Sequence, residues 1–158
     1  MLIPLLLGFF TVFVSMSVQI AAVVYMIRYL FNFVSQKGHD SITNLRVTYV
    51  ISMIMTMLFF GHVAQVAIWA VLFMLVGEFG DFLTAFYHSM VNFASLGYGD
   101  IVMGEKWRLL GAIEASTGVL MFGLSAGTML AIMTRLLTYD DRVRDQLAEL
   151  GMQKRDAD

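Results

Sequence analysis

The segment with the clearest chemical capability is the run Ser-Leu-Gly-Tyr-Gly-Asp at residues 95–100. Glycine alternates there with larger residues, and glycine adopts left-handed backbone angles without the steric cost that other residues meet. This alternation allows successive backbone carbonyls to turn toward one side of the chain. A ring of such carbonyls can replace the hydration shell of a monovalent cation. The run therefore predicts a loop that binds a cation through its backbone rather than through side chains.

The composition indicates that this loop lies in a membrane protein. Of the 158 residues, 59% are hydrophobic and 14% are charged, with a mean hydropathy of +0.76. In soluble globular chains, about 45–50% of the residues are apolar and about 25% are charged. There is no cysteine, which excludes disulfides, thiolate metal sites and thiol nucleophiles. The net charge of -2 is too small to indicate nucleic acid or another strongly charged partner.

Three long stretches with almost no charge predict three transmembrane helices. Residues 1–27 and 47–77 hold no charged residue, and residues 109–134 hold only Glu114. A helix needs about 20 apolar residues to cross a hydrocarbon core of about 30 Å, so each stretch is long enough. The predicted fold class is therefore an all-α membrane protein.

A fourth uncharged stretch, residues 82–99, contains polar residues and ends in the glycine-rich run. If it turns back without crossing, eight of the ten basic residues share one side of the membrane, whereas crossing divides them five to five. Positive-inside bias favours the re-entrant arrangement, with the N-terminus outside and the C-terminus in the cytoplasm. Asp81 is suited to cap a short helix over residues 82–94. The negative C-terminal end of that helix would point into the membrane and favour a cation.

With these elements in place, the chain resembles the pore module of the potassium-channel superfamily. The resemblance rests on the Gly-Tyr-Gly-Asp run after a re-entrant helix, followed by a span that carries glycines, and it covers residues 47–137. It implies an outer helix over 47–77, a pore helix over 82–94, a selectivity filter over 95–100 and an inner helix over 107–137. It further implies a homotetramer that conducts potassium ions passively, with no cofactor and no enzymatic activity.

The resemblance also assigns roles to the residues of the filter. The K⁺ sites would be formed by the Ser95 hydroxyl and by the backbone carbonyls of Ser95, Leu96, Gly97 and Tyr98, with Gly99 and Asp100 completing the outer mouth. The family usually has threonine where this chain has Ser95. Serine lacks the methyl group that stiffens χ1, so a weakly selective monovalent cation channel with a less ordered innermost site is one alternative. A non-conducting accessory membrane subunit is the other.

Three residues are candidates for support of the filter. In the family an aromatic residue at the position of Tyr87 bonds near the filter aspartate, which predicts a Tyr87–Asp100 contact; the alternative is an interfacial aromatic. Glu114 is the only formal charge inside a span, and its depth nearly equals that of His88 when helical turns are counted. One hypothesis is that Glu114, paired with His88 or protonated against the pore helix, supports the back of the filter and makes it pH-sensitive. A structural carboxyl without a regulatory role is the alternative.

The inner helix carries glycines and cavity candidates. By the resemblance, Gly118 is a gating hinge, and the cavity is lined by Val119, Phe122, Ala126 and Leu130. Gly123 and Gly127 form a GxxxG pair, for which we favour close helix packing over hinging. Residues 123–127 also match G-x-S-x-G, but a nucleophile elbow needs a strand-to-helix turn and a later histidine. No histidine follows His88, so a hydrolase is not supported.

The remaining segments are additions to the pore module. Residues 2–34 predict an extra N-terminal transmembrane helix, and residues 35–46 predict a cytoplasmic loop. Residues 138–158 predict a cytoplasmic tail, either a short amphipathic helix or a frayed end. His62 and Gln65 lie three residues apart and indicate helix–helix hydrogen bonding rather than a metal site. The expected partners are membrane lipid, permeant K⁺ and further copies of the chain, in a plasma membrane of the bacterial type.

Overall fold

The computed structural model describes residues 2–35 and 44–155, with side chains described for residues 2–29, 45 and 48–135. Within these ranges the chain forms four helices, α1 (Leu2–Ser35), α2 (Asn44–Leu75), α3 (Phe82–Phe93) and α4 (Arg108–Arg155). Three of them contain stretches long and apolar enough to cross a membrane, at Leu2–Tyr29, Thr48–Leu75 and Arg108–Arg135. The prediction of an all-helical protein with three candidate spans, and a short helix between the last two, is confirmed.

The short helix α3 cannot cross a bilayer by itself. Its 12 residues give a length of about 18 Å at about 1.5 Å per residue, against a hydrocarbon core of about 30 Å. Asp81 caps its start, because Oδ1 of Asp81 accepts a hydrogen bond from the backbone N–H of Thr84 at 2.9 Å. This cap satisfies an amide that has no partner within the helix. Helix α3 packs against both α2 and α4.

The packing around α3 fixes its position. Trp69 and Phe73 of α2, Phe93 of α3 and Leu110 of α4 belong to one buried apolar cluster, to which Phe79 and Phe86 also pack. The rings of Trp69 and Phe73 lie 6.0 Å apart between centroids. A second cluster, of Met26, Val50, Ile54 and Leu58, joins α1 to α2. Burying large apolar side chains on three helices holds α3 against the two spans beside it.

Gly118 is a point of close approach between α3 and α4. A Cβ atom built on Gly118 would lie 1.9 Å from the backbone oxygen of Phe93, the last residue of α3. No side chain fits there, so glycine is required by contact between the two backbones. The hinge role expected of Gly118 stays a prediction, and the structure adds a packing requirement at the same residue.

Several helix boundaries differ from the ranges that the sequence predicts, and α2 begins at Asn44 rather than at residue 47. Helix α2 ends at Leu75 rather than at residue 77, because the chain turns at Gly77, which has a φ of 81°. Helix α4 continues without a break from Arg108 to Arg155, so its backbone includes most of the predicted tail. The side chains of that tail and most of the predicted loop at 35–46 lie outside the described residues.

Candidate ion-binding loop

The glycine-rich loop, residues 95–100, begins at a helix terminus of recognisable geometry. The N–H of Leu96 donates to the carbonyl of Val91 at 2.9 Å, and the N–H of Ser95 donates to the carbonyl of Asn92 at 2.8 Å. These two bonds form a Schellman motif, whose left-handed residue is Ser95 with a φ of 56°. Glycine is the usual residue at this position because others meet a cost of about 1–2 kcal/mol there. Ser95 is the sole non-glycine residue with positive φ in the described part of the chain.

Left-handed backbone recurs at every second residue of the loop. The φ angle is 56° at Ser95, 60° at Gly97 and 72° at Gly99, and it is not positive at Leu96 or Tyr98. The alternation expected from the two glycines therefore extends back to Ser95. Sequence reasoning missed the left-handed conformation of Ser95, because serine gives no conformational signal of its own. Its place directly after the helix end was the signal that could have identified it.

The loop is open to its surroundings in a single chain. The side chains of Leu96 and Tyr98 are 53% and 66% exposed, and no heavy atom lies within 4 Å of a Cβ placed on Gly97 or Gly99. One copy of the loop cannot by itself surround an ion.

The segment after the loop is attached to α3 and to the turn before it. Tyr87 OH donates to Oδ2 of Asp100 at 2.7 Å, so the contact expected between these residues is present. This hydrogen bond lowers the pKa of Asp100 below its usual value, because it stabilises the ionised carboxylate. Further out, Oε2 of Glu78 accepts from the N–H of Gly104 at 2.7 Å.

His88 makes a third attachment, and its two contacts define its tautomer. Nδ1 lies 3.1 Å from the carbonyl oxygen of Ile101, which only accepts, so Nδ1 carries a proton. Nε2 lies 2.9 Å from Nδ2 of Asn92, which only donates, so Nε2 is unprotonated. His88 is therefore a neutral ring that joins α3 to the backbone just beyond the loop.

Glu114 contacts Ser89 rather than His88, the partner considered from the sequence. Its carboxyl is fully buried, and Oε1 lies in close contact with the hydroxyl of Ser89, which in turn lies 2.8 Å from the carbonyl of Val66. The reason is geometric, since the His88 ring is already occupied by Ile101 and Asn92. The alternative of a carboxyl packed against the short helix matches this placement.

The predicted cavity residues of α4 leave much of their surface open in the single chain. Val119, Phe122, Ala126 and Leu130 are all exposed. Gly123 and Gly127 have no heavy atom within 4 Å of the position that a Cβ atom would take. Phe122 also contacts the chain's own core, because its ring lies 5.0 Å from His62 and 5.6 Å from Phe93. This face of α4 is thus available to other copies of the chain or to a water-filled cavity.

A buried polar cluster joins α1 to the other two spans. Gln65 donates to Oε1 of Gln19 at 2.8 Å, and Nε2 of Gln19 donates to Ser125 at 3.2 Å. The Ser125 hydroxyl lies 3.0 Å from Nε2 of His62, and Oε1 of Gln19 would lie 2.7 Å from a Cβ on Gly61. These contacts account for His62 and Gln65 by helix–helix hydrogen bonding. Among the described residues, no three His, Cys, Asp or Glu side chains are grouped for a metal.

Comparison with known families agrees with this architecture. Residues 45–135 match the family model described as an ion channel, which covers α2, α3, the glycine-rich loop and the first part of α4. Because this is more than half of the chain, the protein belongs to that ion channel family. It is a multi-pass membrane protein and not an enzyme, as the sequence predicts. No curated protein and no solved structure matches the chain.

Proposed function

We propose that four copies of this chain form a potassium-selective pore, with the glycine-rich loop of each copy as one quarter of the selectivity filter. The observation that carries the proposal is the left-handed backbone at Ser95, Gly97 and Gly99. A backbone in which every second residue is left-handed is suited to present successive carbonyls on one side. The K⁺ ligands are then the carbonyls of residues 95–98, with the Ser95 hydroxyl at the inner end and Gly99 and Asp100 at the mouth.

The exposed surfaces of one chain support assembly around a central axis. A closed ring of identical copies would cover Leu96, Tyr98 and the open face of α4 in every subunit. In such a ring the α4 residues Val119, Ala126 and Leu130 face the cavity below the filter. Helix α1, which lies outside residues 45–135, packs against α2 and α4.

The distribution of charged residues supports cation conduction and one orientation of the chain in the membrane. Glu78, Asp81, Asp100 and Glu105 lie near the ends of α3 and its following segment, and fourfold repetition would concentrate cations there by electrostatic focusing. Most basic residues lie on the other side if α3 re-enters, so this mouth faces outward and the C-terminus lies in the cytoplasm. The membrane is a plasma membrane of the bacterial type.

Reversal potentials of the purified protein in liposomes, under opposed potassium and sodium gradients, test the proposal. We expect a potential close to the potassium equilibrium value. The variant Gly97→Ala should lose this preference, because alanine is strained at a φ of 60°. Gly77→Ala is the matched control, because φ there is 81° and nothing lies within 4 Å, but the residue is outside the loop. It should keep the selectivity of the unmodified chain.

Two outcomes would overturn the potassium assignment. Equal permeation of sodium and potassium would identify a weakly selective monovalent cation channel. Ser95 favours this candidate, because its backbone is left-handed and its side chain lacks the methyl group that would stiffen χ1. An absence of flux together with an absence of cross-linked tetramers would identify a non-conducting accessory subunit.

A further inference from the structure

One hydroxyl group joins α3 to the two helices that pack against it. Ser89 of α3 and Glu114 of α4 are both fully buried. Oγ of Ser89 lies 2.8 Å from the backbone oxygen of Val66, which belongs to α2, and it is also in close contact with Oε1 of Glu114. A single oxygen atom therefore makes two polar contacts, one toward each neighbouring helix.

The number of available protons decides how these contacts are made. A serine hydroxyl carries one proton, and a backbone carbonyl carries none. The contact between Ser89 and Val66 therefore takes the serine proton, since two oxygen atoms so close without a proton between them repel. The contact between Ser89 and Glu114 then needs a proton from the carboxyl. Only a neutral Glu114 places a proton in both contacts.

The surroundings of the carboxyl agree with this count. Within the described part of the chain, Glu114 makes no ion pair, and Oε2 has no hydrogen bond of ordinary geometry, although the amide of Asn92 interacts with the carboxyl. An ionised carboxylate here would be a buried charge without a cation, which proteins rarely contain. Glu114 also lies within the candidate span Arg108–Arg135, where a charge is costly on insertion scales.

We propose that Glu114 is a neutral carboxylic acid that donates its proton to Ser89 and acts as a positioning residue for α3 and the glycine-rich loop. The chain of bonds runs from Glu114 to Ser89 and on to the carbonyl of Val66, so α4 and α2 hold α3 from both sides. What position 114 supplies is a hydrogen-bond donor and not a charge. The importance of this donor for ion selectivity rests on the proposed function, whereas the protonation state does not.

Infrared spectroscopy of the full-length protein in liposomes tests the protonation state. The difference spectrum between the unmodified chain and Glu114→Gln should contain the C=O stretch of a protonated carboxyl at neutral pH. Ser89→Ala should keep this band and change its position, because the carboxyl proton loses its acceptor. Absence of the band from the unmodified chain in both difference spectra would overturn the proposal. The Ser89→Ala arm decides the question if Glu114→Gln does not fold.

A pair of size-matched variants tests the positioning role. Glu114→Gln keeps a donor for Ser89, so its selectivity for potassium over sodium should stay within about twofold of the unmodified channel. Glu114→Leu has no donor and leaves Ser89 without one partner, and we expect its folding equilibrium constant to be about tenfold lower with reduced selectivity. Equal selectivity and stability of the two variants would overturn the positioning role. If the unmodified channel itself conducts sodium and potassium equally, the proposed function fails while the infrared band still reports the neutral carboxyl.

Discussion

Replacing Gly118 with alanine tests the contact that fixes the end of α3 against α4. The added Cβ would lie 1.9 Å from the backbone oxygen of Phe93 and 2.8 Å from its carbonyl carbon, whereas Cβ atoms essentially never approach another heavy atom within 3.0 Å. The two helices would have to separate by about 1.1 Å, the difference between 1.9 and 3.0 Å. Neither partner has a rotamer that relieves the clash, because both are fixed to helix backbone.

The free energy of unfolding should fall by about 2 kcal/mol. Overpacking a well-packed interior costs about 1–3 kcal/mol, and a clash with backbone belongs at the upper end of this range. Alanine recovers about 1 kcal/mol because it favours the helix interior over glycine. The net loss corresponds to about a thirtyfold change in the folding equilibrium constant. Phe93 is two residues before Ser95, so the displacement should also reach the glycine-rich loop.

Two glycines of the same helix provide matched controls. Gly123 and Gly127 have nothing within 4 Å of a Cβ position in the single chain, so Gly123→Ala and Gly127→Ala gain helix propensity without the clash. Denaturant unfolding should show lower stability for Gly118→Ala and unchanged or higher stability for the controls. Reversal potentials of the same preparations should show reduced selectivity for Gly118→Ala. The two controls report on the fold of the chain alone, because a GxxxG pair is also suited to pack against another helix.

One result would refute this reasoning. If all three alanine variants unfold at the same or higher denaturant concentration than the unmodified chain, and all keep its selectivity, then α3 and α4 do not approach each other closely at Gly118. The close contact would then have to be assigned elsewhere, and the glycine would remain available for the hinge role.

Three further changes have definite expected outcomes. Tyr87→Phe removes the bond that lowers the pKa of Asp100. The Asp100 charge is present above its pKa and is lost as the pH falls through it, so the variant should lose the charge at a higher pH. An acid titration of potassium current that overlaps that of the unmodified channel would contradict this. Ser95→Gly should raise the free energy of unfolding by about 1 kcal/mol, because glycine is unstrained at a φ of 56°. It should also weaken selectivity, because the hydroxyl is lost. Lower stability in denaturant unfolding would contradict the left-handed conformation of Ser95. Gln19→Met removes two buried hydrogen bonds between α1 and the other spans, and it should lower the free energy of unfolding by about 2 kcal/mol. Ser17 bonds only within its own helix, so Ser17→Ala should change this free energy by less than about 0.5 kcal/mol. Equal effects of the two variants would count against the buried polar cluster that joins α1 to the other spans.

The large elements could be predicted because their physical causes are local. Long apolar stretches without charge produce membrane helices whatever surrounds them, and Asp81 caps α3 through a bond three residues away. The Tyr87–Asp100 bond was accessible through the resemblance to a known family. Each of these features depends on a short segment or on a motif whose geometry recurs in other proteins.

The details that could not be predicted depend on contacts between distant segments. Ser89 is an ordinary small residue in the sequence, and its importance appears only when Val66 and Glu114 meet it. Gln19 and Ser125 are 106 residues apart, so nothing in their local pattern indicates a bond. The conformation of Ser95 is a local exception, because it follows from the hydrogen bonds that end α3 and serine itself gives no sign of it.

Two sets of contacts of different chemistry thus hold α3 and the segment that follows the glycine-rich loop. On the outer side, Tyr87, Asp100 and Glu78 bond at positions open to water, where solvent and salt weaken electrostatic contacts. On the inner side, Ser89 and Glu114 are buried and bond without a net charge if Glu114 is neutral. Salt and acid should therefore act first on the outer contacts, and should alter conduction before they alter the stability of the fold. Loss of stability and of conduction at the same salt concentration would mean that the two sets of contacts are not separate.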